Sequence, residues 1–309
     1  MAGGLDPLNS TALLVSGTQA FAGGELRQAE RLLLAAAERD PFAPAPRFLL
    51  ADLYLRQGRG KAGLVQLDYL LRRVGPAAVS LLPALVQFAR TPNGARQLRA
   101  LVSTEPDLRE RLLELLAADP SNLQHVLTLA GPRTQGAAPQ WQATLLTAML
   151  ARQDYQRSHQ LWLRFAGLRA GGGSELFNSR FLPGGPPPPF NWRFNSGSAG
   201  VAEAQPGSGL HVIYYGRADA VLAEQMLLLP PGRYRLQHDA TGSSNNLSWA
   251  VVCLPGGSSQ SAPASGDLRF MVATTCKAQR LELRGSIGEA AETVDMNIRQ
   301  IRIEREGKP

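Results

Sequence analysis

The hydrophobic rhythm of the chain changes about halfway along. Over residues 10–168, apolar side chains return every three to four positions, as in Leu32, Leu33 and Ala36 and again in Leu49, Leu50 and Leu53. That is the period of a helix with one buried stripe. Glycines and Pro-bearing turns cut the stretch into short segments. The pattern predicts helices at 10–22, 25–39, 44–57, 60–73, 77–90, 93–103, 107–117, 121–130, 139–151 and 155–168. Beyond residue 200, apolar and polar positions alternate instead, as in half-buried antiparallel strands. Strands are predicted in the segments that begin at Val201, Leu210, Ala220, Gly232, Leu247, Leu268, Ala278 and Val294. Pro230-Pro-Gly232 and the Gly/Ser-rich tracts 241–246 and 255–266 read as turns between them. Strands at this spacing build a two-sheet sandwich.

The helical half carries an internal repeat of about 34 residues. Gly17 and Ala20 precede the turn at Gly23-Gly24, and Ala29, Leu33, Ala36 and Pro41 follow. One period later, Ala51 and Tyr54 precede Gly58, and Gly63, Leu67, Leu70 and Gly75-Pro76 follow. Small residues let two helices approach, bulky ones fill the groove, and proline ends the second helix. This resembles the tetratricopeptide repeat family. The likeness is good in the first two repeats and loose over 77–130, where Pro83 interrupts. It returns in a degenerate pair over 139–168 that carries Trp141, Ala148, Tyr155, Leu161 and Phe165. Such superhelices bind peptides or proteins, so the resemblance implies a protein partner.

A Gly-rich linker is expected at 169–175. A Pro-rich stretch, Leu182-Pro-Gly-Gly-Pro-Pro-Pro-Pro-Phe190, follows and favours an extended, semi-rigid backbone. Leu176-Phe-Asn-Ser-Arg-Phe181, the aromatic Trp192, the Gln225-to-Leu236 stretch with its Leu-Pro-x-Gly-x-Tyr-x-Leu core, and a last strand with Ile301-Arg-Ile303 together resemble jelly-roll carbohydrate-binding modules and the wider galactose-binding-like sandwiches. In those modules the first Asn–Phe segment is a strand. The expected fold class is therefore α+β multidomain. An N-terminal α-solenoid of tetratricopeptide-like helix pairs occupies 1–168, and a C-terminal antiparallel β-sandwich of jelly-roll type occupies 176–306. Helices, sandwich and cysteine placement together resemble uncharacterised envelope proteins of alphaproteobacteria, which implies a role near exopolysaccharide assembly.

Charge sharpens the picture only by exclusion. The net charge is +7 over 309 residues, with 29 arginines and three lysines. Residues 1–170 hold 19 basic and 13 acidic side chains (+6), and the rest hold 13 and 12 (+1). The arginines are scattered, the longest cationic run being Arg72-Arg73. Nucleic-acid binding calls for clustered charge with stacking aromatics, so no nucleic-acid partner is expected. No apolar run is long enough for a membrane span. The N-terminus shows no basic region leading into an apolar stretch, so no signal peptide is visible.

Cys253 and Cys276 each sit in a predicted strand, 23 residues apart. They read either as a disulfide, which points to an oxidising compartment, or as two reduced, buried thiols. The bridge favours a periplasmic or envelope location, and the missing signal favours a cytoplasmic one.

No catalytic motif is present. Gly58-Arg-Gly60-Lys-Ala-Gly63 fits the dinucleotide fingerprint in letters, but it falls between two helices and reads as a turn. His125, His159, His211 and His238 are dispersed, with no metal-ligand spacing. Neither metal nor cofactor is expected, and Asp219, Glu224, Asp239 and Asp295 show no pairing suited to hydrolysis.

Sugar rings stack on aromatic faces, and that points to Trp192, Tyr214 and Tyr215, with Arg217 and Asp219 for the hydroxyls. Tyr214 and Tyr215 are adjacent on a strand, so one faces inward and one outward. Trp249, and Tyr54, Tyr69, Trp141 and Trp162 on helix faces, read as core. The expected function is a non-catalytic adaptor, with the helices holding a protein and the sandwich a glycan or polypeptide. The alternatives are a purely structural scaffold and a carbohydrate-active enzyme.

Overall fold

A computed structural model describes residues 10–74, 82–131, 138–168, 176–288 and 292–307. The chain divides into two compact units, Met1–Thr134 and Gln135–Pro309.

The first unit contains helices α1 (Ser10–Ala22), α2 (Leu26–Arg39), α3 (Pro44–Arg56), α4 (Gly60–Val74), α5 (Leu82–Ala89), α6 (Gly94–Leu101), α7 (Pro106–Ala117) and α8 (Leu123–Ala130). Each agrees with a predicted helix; of the predicted fifth, 77–81 lie outside the described residues. The α1–α2 turn needs Gly24 at φ +79° and the α3–α4 turn needs Gly58 at φ +71°, backbone that only glycine adopts freely. Pro44 and Pro106 begin their helices, where the missing N–H costs nothing.

The small residues act as their spacing implies. A Cβ at Gly17 would come within 2.9 Å of Leu33, and one at Gly63 within 2.8 Å of Leu55. Helices therefore pair α1 with α2 and α3 with α4. They also stack in two layers, α1, α3, α5 and α7 in one and α4, α6 and α8 in the other. Ala20, Ala29, Leu33, Leu50, Leu53 and Tyr54 form the core of the first two pairs. Scattered arginines close over ring faces and carboxylates: Arg59 bonds Glu30 at 2.7 Å and lies 4.4 Å from the Tyr54 ring centre, and Arg47 lies 3.9 Å over Tyr69. The Arg59 hydrogen bond holds the Glu30 carboxyl below its ordinary pKa.

The second unit begins with two more helices, α9 (Gln140–Ala151) and α10 (Tyr155–Ala166), the latter ending at Gly167 in the left-handed region. The expected linker at 169–175 lies outside the described residues. This helix hairpin belongs to the compact unit of the sandwich, so the division falls before it, whereas sequence composition put a boundary after it.

The strands are β1 (Arg193–Phe194), β2 (Ser196–Gly197), β3 (Gly200–Gln205), β4 (Gly209–Tyr214), β5 (Ala220–Leu227), β6 (Gly232–Gly242), β7 (Leu247–Leu254), β8 (Ser259–Pro263), β9 (Leu268–Val272), β10 (Ala278–Gly285) and β11 (Val294–Arg305). They form two antiparallel sheets in the orders β1-β5-β10-β7-β8 and β2-β3-β4-β11-β6-β9. Between the sheets lie Tyr214, Tyr234, Trp249, Val251, Leu281 and Ile298, with Phe181 and Trp192.

Two expectations change. Tract 255–266 is not all turn, because β8 pairs with β7 along it. It is an exposed edge strand of serines, so no apolar alternation marks it. Residues 176–181 form no strand. Asn178 and Phe181 sit at φ 51° and 56°, and Asn178 uses its side chain to hold the Leu182 N–H (2.7 Å) and C=O (2.9 Å). The prolines are equally occupied within the fold: Pro186 O accepts from the Asn191 amide at 2.8 Å, and Pro187 O from the Trp162 indole at 2.7 Å. Cys253 and Cys276 form a disulfide with Cα atoms 5.4 Å apart, tying the end of β7 to the approach to β10.

Candidate functional site

The five candidate ligand residues separate by burial. Tyr214 points between the sheets at 0% exposure, and its hydroxyl donates to Ala218 O at 3.1 Å. Burial raises its pKa, with the charge of Asp219 adding to the effect. Trp192 is 4% exposed, stacks parallel to Phe194 and donates its indole N–H to Asn178 O at 3.1 Å. Tyr214 offers no ring face to a ligand, which corrects the expectation for it; Trp192 packs in the inner core and borders a cavity beside the Pro-rich segment. Tyr215 faces out and is half-buried, with the exposed Arg217 guanidinium 5.9 Å from its ring centre. Asp219 is committed locally, its Oδ1 accepting the Ile287 N–H at 2.9 Å. The structure thus brings Tyr215, Arg217 and Asp219 into one loop, between β4 and β5.

The outer face of that sheet is a field of hydrogen-bonding groups. Glu203, His211, Asn297 and Thr241 sit opposite one another across β3, β4, β11 and β6. His211 Nε2 meets Asp295 Oδ1 at 3.0 Å and its Nδ1 meets the Gln205 amide at 3.2 Å. Both ring nitrogens therefore have a hydrogen-bonding partner. The sequence alone left this row unseen, because its members come from four separate strands and only register assembles them.

The outer face of the five-stranded sheet is different. Trp249 and Val251 point into the core, so Ala250 and Val252 point outward, yet both are buried. A run of apolar residues on consecutive positions, Trp249-Ala-Val-Val252, is the mark of a strand covered on both faces. Across this face runs a charged ladder. Glu282, 1% exposed, accepts from the Nε of both Arg280 and Arg284. Arg280 also lies 3.7 Å from Glu224, which Arg193 meets at 3.0 Å. Beside the ladder is a cavity of about 310 Å³, shared with α9 and α10. Among the described residues, no group of three or more His, Cys, Asp or Glu side chains could hold a metal. Nor is any helix among them long and apolar enough to cross a membrane.

No family model matches the chain, and no curated protein matches it. Among solved structures, it is similar to accessory secretory protein 1, 2 and 3 of Streptococcus pneumoniae at 10% identity, covering 36% of this chain and 87% of that one, with a TM-score of 0.29. It is similar to TmCBM61 in complex with beta-1,4-galactotriose at 16% identity, covering 44% and 100%, TM-score 0.27. It is also similar to the glycosylation-associated Gap123 complex of Streptococcus agalactiae at 12% identity, covering 37% and 41%, TM-score 0.28. Likenesses at these scores establish neither a shared fold nor a shared activity.

Proposed function

We propose that the chain is a non-catalytic binding protein whose sandwich recognises a glycan and whose helix pairs, stacked in the tetratricopeptide manner, hold a protein partner. The observation that carries this is the outer face of the six-stranded sheet. Glu203, His211, Asn297 and Thr241 present donors and acceptors in one row, and Tyr215 and Arg217 follow four and six residues beyond His211, past the end of β4. Glycan hydroxyls pair with such groups, and a half-open tyrosine ring suits the apolar face of a sugar. One facing pair of carboxylates is unsuited to hydrolysis: Glu224 and Glu282, opposite one another on β5 and β10, are bound by guanidiniums, and a general acid needs a carboxyl free to exchange its proton. The disulfide supports an oxidising compartment such as the periplasm or cell envelope. A free-thiol count on protein from its native compartment tests that location, and two reactive thiols would overturn it.

The test of binding is a glycan array followed by affinity electrophoresis with the full chain. Tyr215→Ala and Asn297→Ala should each weaken retention by about tenfold, the loss of one good hydrogen bond or stacking contact. Absence of binding to any polysaccharide favours the scaffold reading.

A further inference from the structure

The cavity beneath the α9–α10 hairpin lies on the sheet opposite to the proposed glycan face, so what it binds is a separate question. Its floor is the outer face of β5, β10 and β7, where Met226, Arg280 and Leu254 stand. Its far wall is Leu150 and Ala151 at the end of α9 and Tyr155 at the start of α10. Most of this lining is hydrocarbon. At about 30 Å³ per water-sized group, 310 Å³ holds roughly ten non-hydrogen atoms.

Two features make this more than a packing defect. First, the charge at its edge is unbalanced. The ladder sets three guanidiniums (Arg193, Arg280, Arg284) against two carboxylates (Glu224, Glu282), leaving one positive charge. The donors are also only partly used. Arg280 spends its Nε on the glutamates and Arg193 a single terminal nitrogen on Glu224, while both side chains keep about two-fifths of their surface exposed. Their remaining N–H groups project in the planar fork that suits a carboxylate. Second, Tyr155 adds a largely buried aromatic ring to the apolar lining, at 7% exposure.

We infer that this cavity binds a small apolar monocarboxylate, its hydrocarbon body against Leu150, Met226 and Leu254 and its carboxylate on the spare donors of Arg193 and Arg280. A cationic head is disfavoured by the net charge of the ladder. A neutral head accepts from the guanidiniums but brings no charge to balance theirs, and it cannot make the bidentate pair that a carboxylate makes.

Octanoate, with its eight-carbon chain, is the probe. It is titrated by calorimetry into the full chain, beside octan-1-ol and octylamine. Saturable octanoate binding is expected, with octanol at least about tenfold weaker and octylamine weaker still, as a bidentate pair of opposite charges exceeds a bond to a neutral head. Leu150→Trp narrows the cavity from its helix wall and should weaken octanoate uptake at least about tenfold. Arg193→Gln, at a position about two-fifths exposed, should weaken octanoate about tenfold and change octanol far less. It carries the test if the tryptophan variant fails to fold.

Equal binding of acid, alcohol and amine overturns the inference, as does octanoate binding untouched by either folded variant, or none below about 1 mM. None of these outcomes bears on the glycan face. Conversely, a chain that binds no polysaccharide but passes this test keeps the cavity and loses the glycan reading.

Discussion

Gly285 shows how tightly single positions are set. It lies on β10 beneath the Tyr214 ring, and a Cβ there would overlap ring carbons. Gly285→Ala should lower stability by about 1–3 kcal/mol, the cost of overpacking a filled core, read as a shift in the urea midpoint. Gly197→Ala is its control, with nothing within 4 Å of the new methyl group, and should change stability by less than about 0.5 kcal/mol. His159 gives a second residue-scale outcome. Its ring lies parallel to Trp162 at 5.8 Å and 4.8 Å from Phe190, and burial lowers its pKa. The unfolded chain therefore binds a proton that the folded chain resists. Stability from this group is complete above the unfolded value of about 6.5 and is lost as pH falls from there towards the folded value. Unfolding curves between pH 5 and 8 should show the slope in the wild type and a shallower one in His159→Phe. At this scale the sequence foretold that one tyrosine of the adjacent pair would face in. It could not say that Trp192 would be claimed by the core, since that depends on Asn178 and Phe181 folding back as a turn.

At the scale of elements, the arginine–glutamate ladder predicts an asymmetry. Glu282 is buried, while Arg280 and Arg284 keep 41% and 34% of their side chains exposed. Glu282→Met removes the buried charge and leaves guanidiniums that can reach water, so it should be close to neutral. Arg280→Met with Arg284→Met leaves a buried carboxylate unpaired and should cost about 3–5 kcal/mol. Thermal unfolding of the two variants side by side decides the order. The helices were the most legible elements, because Gly24, Gly58, Pro44 and Pro106 punctuate a sustained 3.6-residue period. The first two strands of the sandwich were not, being two residues each, and β8 hides in a serine tract whose pairing to β7 is pure backbone.

For the whole molecule, the allotment of α9 and α10 to the sandwich's unit has a direct outcome. A fragment of residues 135–309 should unfold cooperatively and remain monomeric. A fragment of residues 176–309 loses α9 and α10 from a face that holds Met226, Ala250 and Val252. It should melt lower and associate, as size-exclusion chromatography and thermal scans would show; equal behaviour of the two fragments would sink this division. Reduction of the Cys253–Cys276 bridge in the longer fragment should cost about 3 kcal/mol for its 23-residue span. Composition placed the boundary at the glycines, the strongest local signal of a break. The indole of Trp162 on Pro187 O and the T-shaped Trp162–Phe177 contact at 5.0 Å join residues on either side of that signal. Such long-range contacts leave no mark on composition.

That hairpin is, in kinetic terms, a ligand tied to its own receptor. The hairpin and the sandwich are parts of one chain, and a covalent connection sets a local concentration on the order of millimolar or more. The hairpin can therefore remain docked through contacts too weak to hold a separate peptide. A free copy of it would compete only near that concentration. Breathing of the cavity it walls would then be a first-order event within one chain, with a rate that does not change as the protein is diluted.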